Sequence, residues 1–409
     1  MMAPYKLLLV AGARPNFMKV APICWAVERG ASDLFSIELV HTGQHYDAAM
    51  SDGFFRDLGL PAPDVNLGVG SASHAEQTAR VMIGFEQVLL DRRPDAVVVV
   101  GDVNSTAACA LVASKIEYAA DDARGARRTP RRRPLLAHVE AGLRSGDRTM
   151  PEEINRIVTD AISDLLLTTC RDAAANLAAE GASSERVRFV GNPMIDSLRR
   201  CLPEADRCPI LADLGLAERP FGLCTLHRPS NVDRAETLAE ILRALGDLAR
   251  DMPILLPLHP RTRARIADFG LSAHIRDAWS ADACERELPR SGVVALAPLS
   301  YVEMLKAMKE ARFVLTDSGG VQEETTALGV PCVTLRANTE RPVTIAEGTN
   351  VLAGVGRREI VAALAAARRK SLGAARMPEL WDGAAGPRIV RALADAVAGG
   401  RRSERSVAA

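Results

Sequence analysis

The sequence predicts an α/β protein built from two doubly wound, Rossmann-like domains. Its 409 residues exceed what one hydrophobic core usually serves, which favours two domains. Short apolar runs alternate with amphipathic segments, a pattern typical of parallel sheets covered by helices on both faces. The alternation occurs in two series, separated by a proline- and cysteine-containing stretch from Cys201 to Pro220. We therefore assign residues 1–200 to an amino-terminal domain and residues 201–384 to a carboxyl-terminal domain, with a last helix at about 385–400 completing the first.

Apolar runs of strand length mark the predicted strands of the two series. In the first series they are Tyr5–Ala11, Ile37–His41, Ala96–Val100, Leu135–Val139, Leu165–Thr168 and Val187–Val190. In the second series they are Gly222–Thr225, Ile254–Pro257, Val293–Ala295, Phe313–Thr316, Cys332–Leu335 and Val351–Leu352. Because ligands of parallel α/β sheets bind at the carboxyl ends of the strands, the residues directly after these runs are the candidates for a functional site.

Composition argues against several classes of protein. Lys plus Arg and Asp plus Glu each total 51, so nothing in the net charge favours nucleic acid or an anionic membrane as a partner. A basic tract between Asp121 and Pro134 lacks interleaved aromatic residues, and we interpret it as a surface insertion rather than a nucleic-acid patch. The eight cysteines include no Cys-x-x-Cys pair, and the first apolar run is too short for a membrane span and lacks a basic leader. We expect a cytoplasmic protein.

The stretch from His138 to Arg156 joins a predicted strand to a predicted helix and gathers two carboxylates and a guanidinium group. Glu140 ends a buried apolar run, where a carboxylate is costly unless it is paired or used in chemistry. Glu152 and Arg156 lie in the first turns of the helix. Glu152 has a structural alternative, because it fits a capping box with Thr149 and an i,i+4 ion pair with Arg156. We interpret Glu140 as functional and leave open whether Glu152 has a functional or a structural role.

Two other strand ends of the first series carry candidate residues. Arg14 and Lys19 follow the first strand and the turn at Gly12, where a helix amino terminus can bind a phosphate. The turn is not a Gly-x-Gly-x-x-Gly fingerprint, so it gives little support for a bound NAD. Asp102 follows the third strand, where it is either functional or a turn residue. The spacing of His41 and His45 does not suit a metal, because His41 belongs to a strand.

The second series carries its sharpest motif between Thr316 and Glu324. Small residues after a strand expose backbone N–H groups at the start of a helix, which can hold a diphosphate. Glu324, one turn into that helix, can reach a ribose diol, and Arg341 adds a positive charge. His227 follows an earlier strand of the same series. A glycine turn between a strand and a helix is the structural alternative for this motif.

Together these motifs resemble those of the non-hydrolysing UDP-N-acetylglucosamine 2-epimerases, which share the two-domain architecture of GT-B glycosyltransferases. The resemblance runs from Leu7 to about Gly354. It rests on Gly12-Ala-Arg-Pro-x-x-x-Lys, Gln44-His45, Gly101-Asp102, His138-Val-Glu-Ala-Gly-Leu-Arg, Pro151-Glu-Glu-x-Asn-Arg, Gly191-Asn-Pro, His227-Arg, Asp317-Ser-Gly-Gly-x-Gln-Glu-Glu and Glu340-Arg-Pro. Each motif alone is weak, but the set is highly specific.

The resemblance implies an active site in a cleft between the domains and a reversible inversion at C2 of UDP-N-acetylglucosamine, which gives UDP-N-acetylmannosamine. UDP is eliminated to leave a 2-acetamidoglucal and is then added back. The implied catalytic residues are Asp102, Glu140, Glu152 and His227. The implied substrate-binding residues are Arg14, Lys19, Gln44, His45, Arg156, Ser318, Gly319, Gly320, Glu324 and Arg341. The resemblance implies no metal and no nicotinamide cofactor, and it implies a homodimer.

One segment departs from part of the family. The stretch between Gly146 and Pro151 is shorter than in members that their own substrate activates at a second site, so such activation is not expected. The short form also resembles relatives that act on UDP-2,3-diacetamido uronic acids, which leaves the C3 and C6 groups of the sugar open. A hydrolysing 2-epimerase, a GT-B glycosyltransferase and a non-catalytic nucleotide-sugar sensor are the other hypotheses.

Overall fold

The computed structural model describes residues 3–43, 55–118, 132–278, 288–373 and 375–407, without the side chains of Arg14 and of residues 400–407. The predicted ligands Gln44 and His45, and nearly all of the basic tract, lie outside the described residues. The chain divides into two compact units. The first comprises Met1–Ser197 and Glu379–Ala409, and the second comprises Leu198–Pro378.

The first unit contains a seven-stranded parallel sheet. Its strands are β1 (Tyr5–Ala11), β2 (Phe35–His41), β3 (Val65–Asn66), β4 (Ala96–Val100), β5 (Leu135–Val139), β6 (Leu165–Thr168) and β7 (Val187–Phe189). Their order across the sheet is β3-β2-β1-β4-β5-β6-β7, so the direction of winding reverses between β1 and β4. Every residue of β4, β5 and β6 is buried, which explains their continuous apolar sequences.

Helices follow the strands of this sheet. They are α1 (Arg14–Gly30), α2 (His74–Arg92), α3 (Asn104–Lys115), α4 (Pro151–Ile162), α5 (Arg171–Ala179) and α6 (Pro193–Arg207), with a 3₁₀ turn at Ser184–Arg186. Helix α3 is buried along most of its length, whereas α4 buries one face and exposes the other.

The second unit contains another seven-stranded parallel sheet. Its strands are β8 (Gly222–Thr225), β9 (Pro253–Pro257), β10 (Arg276–Asp277), β11 (Gly292–Leu296), β12 (Val314–Thr316), β13 (Cys332–Thr334) and β14 (Asn350–Leu352). Their order is β10-β11-β9-β8-β12-β13-β14, and the winding reverses between β8 and β12. The helices are α7 (Ile210–Asp213), α8 (Pro229–Val232), α9 (Ala235–Leu248), α10 (Pro260–Asp268), α11 (Tyr301–Glu310), α12 (Gly319–Leu328), α13 (Pro342–Ala346) and α14 (Arg357–Gly373), with a 3₁₀ turn at Ser272–His274.

The last helix, α15 (Ala385–Val407), belongs to the first unit and packs against α1. Asp196 accepts hydrogen bonds from the N–H groups of Ala385 and Gly386, at 3.1 and 2.8 Å, and so caps the helix start. A Cβ atom on Gly386 would stand 2.3 Å from the carbonyl oxygen of Pro22, so the close approach of the two helices requires glycine.

The predicted fold class, two doubly wound parallel α/β sheets, is confirmed. The prediction missed β3 and β10, which are two-residue strands at sheet edges. Strands this short and this exposed carry no hydrophobic run that could reveal them.

Candidate functional site

Glu140 directly follows β5 and is the central residue of one sheet edge in the first unit. Its backbone is left-handed, with φ at 72°, a conformation that residues other than glycine seldom adopt. The N–H groups of Glu140 and Ala141 both donate to the carbonyl of Leu167 on β6, each at 3.1 Å. The Glu140 residue is only 2% exposed, and its Oε2 lies 2.5 Å from Lys19 Nζ on α1. A buried ion pair therefore offsets the cost of a carboxylate at this strand end.

Gly101, directly after β4, leaves the space that this ion pair occupies. A Cβ atom on Gly101 would stand 2.9 Å from Lys19 Nζ and 3.1 Å from Asn16 Nδ2, and the residue has φ at 69°. Asn16 Oδ1 accepts two N–H groups of the turn after β1, at 3.0 and 2.9 Å, and its amide donates to the Val100 carbonyl at 3.2 Å. These contacts join the ends of β1 and β4, where the winding of the sheet reverses.

Asp102 is paired with Arg156, and Arg156 is paired in turn with a second carboxylate, Glu153. Arg156 donates through one terminal nitrogen to Asp102 Oδ2, and through Nε and the other terminal nitrogen to Glu153 Oε2, at 3.1 and 2.6 Å. Glu153 also accepts the N–H groups of Ser145 and Gly146, at 2.9 to 3.1 Å. Burial raises the pKa of Glu153, but these donors outweigh burial and hold its pKa below the usual range. Arg156 is 1% exposed, and its contact with Asp102 holds that carboxylate in place.

Both structural alternatives for Glu152 are wrong. The N–H and hydroxyl groups of Thr149 donate to Asp147 at 2.9 and 2.6 Å, and no side chain caps α4, so no capping box forms. Arg156 pairs with Glu153 at i,i+3 instead of with Glu152 at i,i+4. Within the described ranges the side chain of Glu152 is half-buried and makes no hydrogen bond or ion pair. Its carboxylate is therefore available to a ligand.

A buried histidine and aspartate link the loops that carry Glu140 and Asp102. His138 Nε2 lies 2.8 Å from the Gly101 carbonyl oxygen, and Nδ1 lies 2.6 Å from Asp160 Oδ1. Asp160 Oδ2 accepts the N–H group of Gly142 at 2.9 Å and pairs with Arg144 at 2.8 Å. Burial raises the pKa of Asp160, but the charges of His138 and Arg144 and the hydrogen bonds lower it, and the net pKa is below the usual range.

In the second unit, Asp317 fixes the loop that follows β8. It is 0% exposed and accepts the N–H groups of His227 and Arg228, at 3.1 and 3.0 Å, and the Asn231 amide at 3.2 Å. His227 Nδ1 lies 2.7 Å from Asp317 Oδ1. Burial raises the pKa of Asp317, but His227 and the N–H donors lower it below the usual range. The His227 side chain remains 52% exposed, so its ring is accessible at the sheet edge.

Helix α12 begins in the predicted glycine turn, next to β8, where the winding of this sheet reverses. Its N-cap residue, Ser318, makes no side-chain cap, which leaves the first N–H groups of the helix to other acceptors. A Cβ atom on Gly319 would stand 2.6 Å from one terminal nitrogen of Arg341 and 2.8 Å from Glu340 Oε1. Only glycine therefore lets the helix start lie directly against this charged pair.

A cluster of three arginines and two glutamates lies behind this turn. Arg341 pairs with Glu323 at 2.9 Å and with Glu340 at 2.6 Å. Glu340 also pairs with Arg336 at 2.8 Å and approaches Arg228 at 3.5 Å. Burial raises the pKa of Glu340, but the three arginines lower it far below the usual range. The cluster therefore has one more guanidinium group than carboxylate, next to a helix amino terminus, which favours an anion.

Glu324 is a buried carboxyl group of a different kind. It is 4% exposed, and the Tyr301 hydroxyl donates to its Oε1 at 2.9 Å. Burial raises the pKa of Glu324, the hydrogen bond from Tyr301 lowers it and the charge of Glu323 raises it, so that the net pKa is about 8. At neutral pH the group is mostly protonated, so it can donate a hydrogen bond as well as accept one.

The structure brings Asp102, Glu140, Lys19 and Arg156 to one sheet edge, and His227, Gly319 and Arg341 to another. Arg14 begins α1, but its side chain is not described. Sequence reasoning missed the residues that hold these groups in place, which are Glu153, Asp160, Tyr301 and Glu340. Glu153 had a signal in its i,i+3 spacing to Arg156, whereas the partners of Asp160 and Tyr301 come from other elements.

Among the described residues, no group of three or more His, Cys, Asp or Glu side chains is arranged to hold a metal ion. No helix in the same part of the chain has the length and apolar composition needed to cross a membrane.

Comparison with known proteins identifies relatives over almost the whole chain. A family model described as UDP-N-acetylglucosamine 2-epimerase matches residues 28–394. The UDP-N-acetylglucosamine 2-epimerase of Methanocaldococcus jannaschii is 37% identical over 95% of this chain and 98% of its own. The crystal structure of the M. jannaschii enzyme in complex with UDP-GlcNAc and UDP superposes with a TM-score of 0.80, at 38% identity, over 95% of this chain and 99% of that chain.

Two further similar proteins show how far the comparison extends to substrate and to fold. The UDP-2,3-diacetamido-2,3-dideoxy-D-glucuronate 2-epimerase of Pseudomonas aeruginosa is 39% identical over 87% of this chain and 90% of its own. A UDP-glucosyltransferase from Polygonum tinctorium superposes with a TM-score of 0.61 at 12% identity, over 97% of this chain and 99% of that chain. The last similarity shows the fold alone, which is the GT-B-like arrangement of two parallel α/β sheets.

Proposed function

Because the chain belongs to the UDP-N-acetylglucosamine 2-epimerase family, we propose that it interconverts UDP-N-acetylglucosamine and UDP-N-acetylmannosamine by inverting C2 without hydrolysis. The observation that carries the proposal is the buried Glu140, held on left-handed backbone against Lys19 at a sheet edge that also presents Asp102. Glu152 lies in the first turn of α4, the helix that supplies the arginine partner of Asp102.

The first unit suits the proton transfer at C2. A base must remove a weakly acidic C–H proton on one face of the sugar, and an acid must return a proton on the other. Asp102, Glu140 and Glu152 are the carboxyl groups that we assign to these two steps. Lys19 and Arg156 hold Glu140 and Asp102 in place, while Glu152 has no competing partner among the described residues.

The second unit suits the UDP that leaves and returns. Negative charge develops on the diphosphate as the C1–O bond breaks, and the start of α12 with its excess of guanidinium groups stabilises such charge. We assign the diphosphate to Ser318, Gly319 and Gly320. Glu324, largely protonated at neutral pH, offers both a donor and an acceptor to the ribose hydroxyl groups. His227 presents an exposed ring at the same sheet edge and is assigned to the developing charge.

Arg14, Gln44 and His45 are part of the same proposal as further substrate contacts, on the strength of the family motifs. A cytoplasmic location and a homodimer are proposed on the same ground. No step of the proposed reaction needs a metal or a nicotinamide, because the proton and the diphosphate are the only groups that move.

A related sugar is a second candidate substrate. The P. aeruginosa relative, named for a UDP-2,3-diacetamido-2,3-dideoxy-D-glucuronate, is as similar to this chain as the M. jannaschii enzyme. Both substrates undergo the same inversion and differ at C3 and C6 of the sugar.

The decisive experiment is to incubate the protein in D2O with each nucleotide sugar separately and to follow C2 by NMR. Epimerisation of UDP-N-acetylglucosamine with deuterium at C2 of both epimers supports the proposal. The same result only with the diacetamido uronic acid selects the second candidate. Release of free N-acetylmannosamine and UDP would show hydrolysis, and the absence of exchange with either sugar would contradict both candidates.

A further inference from the structure

Asp160, on α4, contacts the chain on both sides of Glu140. Its Oδ1 lies 2.6 Å from His138 Nδ1, two residues before Glu140, and its Oδ2 accepts the N–H group of Gly142, two residues after, at 2.9 Å. Asp160 is 3% exposed, and Arg144 pairs with it at 2.8 Å. One carboxylate thus brackets the turn that carries Glu140.

That turn needs such support, because the backbone of Glu140 is strained. Left-handed backbone at a non-glycine residue is unfavourable and persists only where its surroundings fix it. Here φ is 72°, and the direction of the carboxylate depends on it. Without the bracket, this backbone would be held by the two N–H groups that donate to Leu167 and by the ion pair with Lys19, and Glu140 would be positioned less tightly.

The same carboxylate also reaches the loop of Asp102. His138 Nε2 lies 2.8 Å from the carbonyl oxygen of Gly101, the residue directly before Asp102. A carbonyl can only accept, so Nε2 donates to it, and Nδ1 donates to the ionised Asp160. Fixing the ring through Asp160 therefore fixes the end of β4 relative to the end of β5.

We propose that Asp160, acting through His138 and the Gly142 N–H group, is a positioning residue that sets Glu140 and Asp102 for proton transfer at C2. The proposal rests on the proposed function, and it assigns Asp160 no contact with the substrate. Its loss should lower the rate of the chemical step while leaving substrate binding in place. Misplacing a reacting group by about 1 Å costs on the order of 100-fold in rate.

The chain contains a matched control for this role. Asp164 accepts the N–H group of Leu136 at 2.9 Å and two hydrogen bonds from Arg133, each at 2.7 Å. Asp164 therefore holds one backbone N–H group and one arginine at the amino-terminal end of β5, as Asp160 does at the carboxyl-terminal end. Replacing Asp164 tests the loss of such a group without disturbing the sheet edge that carries Glu140.

The experiment compares Asp160→Asn with Asp164→Asn. Asparagine keeps the size of the side chain but removes its negative charge, so residue 160 loses its ion pairs with His138 and Arg144 and keeps only neutral hydrogen bonds. In Asp160→Asn we expect kcat to fall on the order of 100-fold, and C2 deuterium exchange to fall with it. KM and the calorimetric affinity for UDP should stay at the wild-type values. Asp164→Asn should keep the wild-type kcat.

A wild-type kcat in folded Asp160→Asn would overturn the proposal, and so would an equal loss of kcat in Asp164→Asn. If Asp160→Asn does not fold, His138→Gln decides, because glutamine keeps an amide donor but loses the contact with Asp160. The same fall in kcat at constant KM supports the proposal, and a wild-type kcat overturns it. A wild-type protein without C2 exchange on either nucleotide sugar refutes the proposed function, and this proposal with it.

Discussion

The two sheet edges share a geometry and differ in the balance of their charged side chains. Each lies where the winding of a parallel sheet reverses, and each contains buried carboxylates paired with cations. Among the side chains that the structure describes, the edge of the first unit has more carboxylates than cations, with Asp102, Glu140, Glu152 and Glu153 against Lys19 and Arg156. The edge of the second unit contains the Asp317–His227 pair and the three arginines that pair with Glu323 and Glu340. Its remaining carboxyl group, Glu324, is mostly protonated.

This difference teaches that one architecture can serve opposite chemical tasks. Surplus carboxylates can exchange protons, and a surplus of guanidinium groups beside helix N–H groups can hold an anion. The contrast divides the proposed reaction between the two edges, and each half can be tested separately.

The largest expected effect is on the carboxylate edge. Glu140→Gln keeps the shape of the side chain but removes its charge, so we expect kcat and C2 deuterium exchange to fall on the order of 1000-fold. Affinity for UDP, measured by calorimetry, should be unchanged because the anion edge is intact. Wild-type exchange in this variant would return Glu140 to a purely structural role and break the contrast between the edges.

The next effect concerns stability. Lys19→Ala leaves the buried Glu140 carboxylate without its ion-pair partner, and breaking such a pair costs about 3 kcal/mol or more of unfolding free energy. Urea unfolding followed by circular dichroism measures this loss. Arg376→Ala is the control, because its pair with Glu347 is exposed and should contribute little. Equal losses in the two variants would show that burial does not distinguish these pairs.

A smaller effect is expected at the anion edge. Gly320→Asp places a negative charge at the start of α12, and we expect affinity for UDP to fall at least tenfold, or about 1.4 kcal/mol. Gly246→Asp is the matched control, because this glycine lies on α9 of the same unit with no atom within 4 Å of its added Cβ. Unchanged UDP binding in folded Gly320→Asp would remove the diphosphate from this turn.

The pH dependence of stability sharpens the comparison further. The pKa of Glu324 is raised from 4.5 to about 8, so between these values the folded protein binds a proton that the unfolded chain has released. The contribution of Glu324 to stability therefore falls as pH rises through this window, by about 1 kcal/mol per pH unit. Glu324→Gln should remove this slope, so urea unfolding should show the variant gaining on the wild type toward pH 8. A constant difference would mean that Glu324 is ionised throughout.

Much of the fold could be predicted because its signal is local. The bounds of β1, β4 and β5 agree with the predicted runs residue for residue, since strands buried on both faces have continuous apolar sequences. The edge strands β3 and β10 escaped prediction because two half-exposed or exposed residues form no pattern. A doubly wound sheet implies a reversal of winding, but the pair of strands at which it occurs was not predicted, because no single stretch encodes which strands are neighbours.

The sequence predicted the residues of the candidate site better than it predicted which of them pair with one another. The cost of a carboxylate at a buried strand end pointed to Glu140, but its partner, Lys19, is 121 positions away in the chain. Helical spacing alone allowed Arg156 to pair with Glu152 or with Glu153. The loop N–H groups of Ser145 and Gly146 draw in Glu153, and so decide the pairing.

The sequence by itself determined that the chain forms two parallel α/β sheets and which polar residues stand at their strand ends. Hydrophobic periodicity and glycine turns act over a few neighbouring residues, so they can be recognised without the rest of the chain. Only the tertiary structure decided which buried charges meet, that Asp160 brackets Glu140, and that burial keeps Glu324 protonated. Ion pairing and desolvation depend on distances between groups far apart in the chain, and packing alone sets those distances.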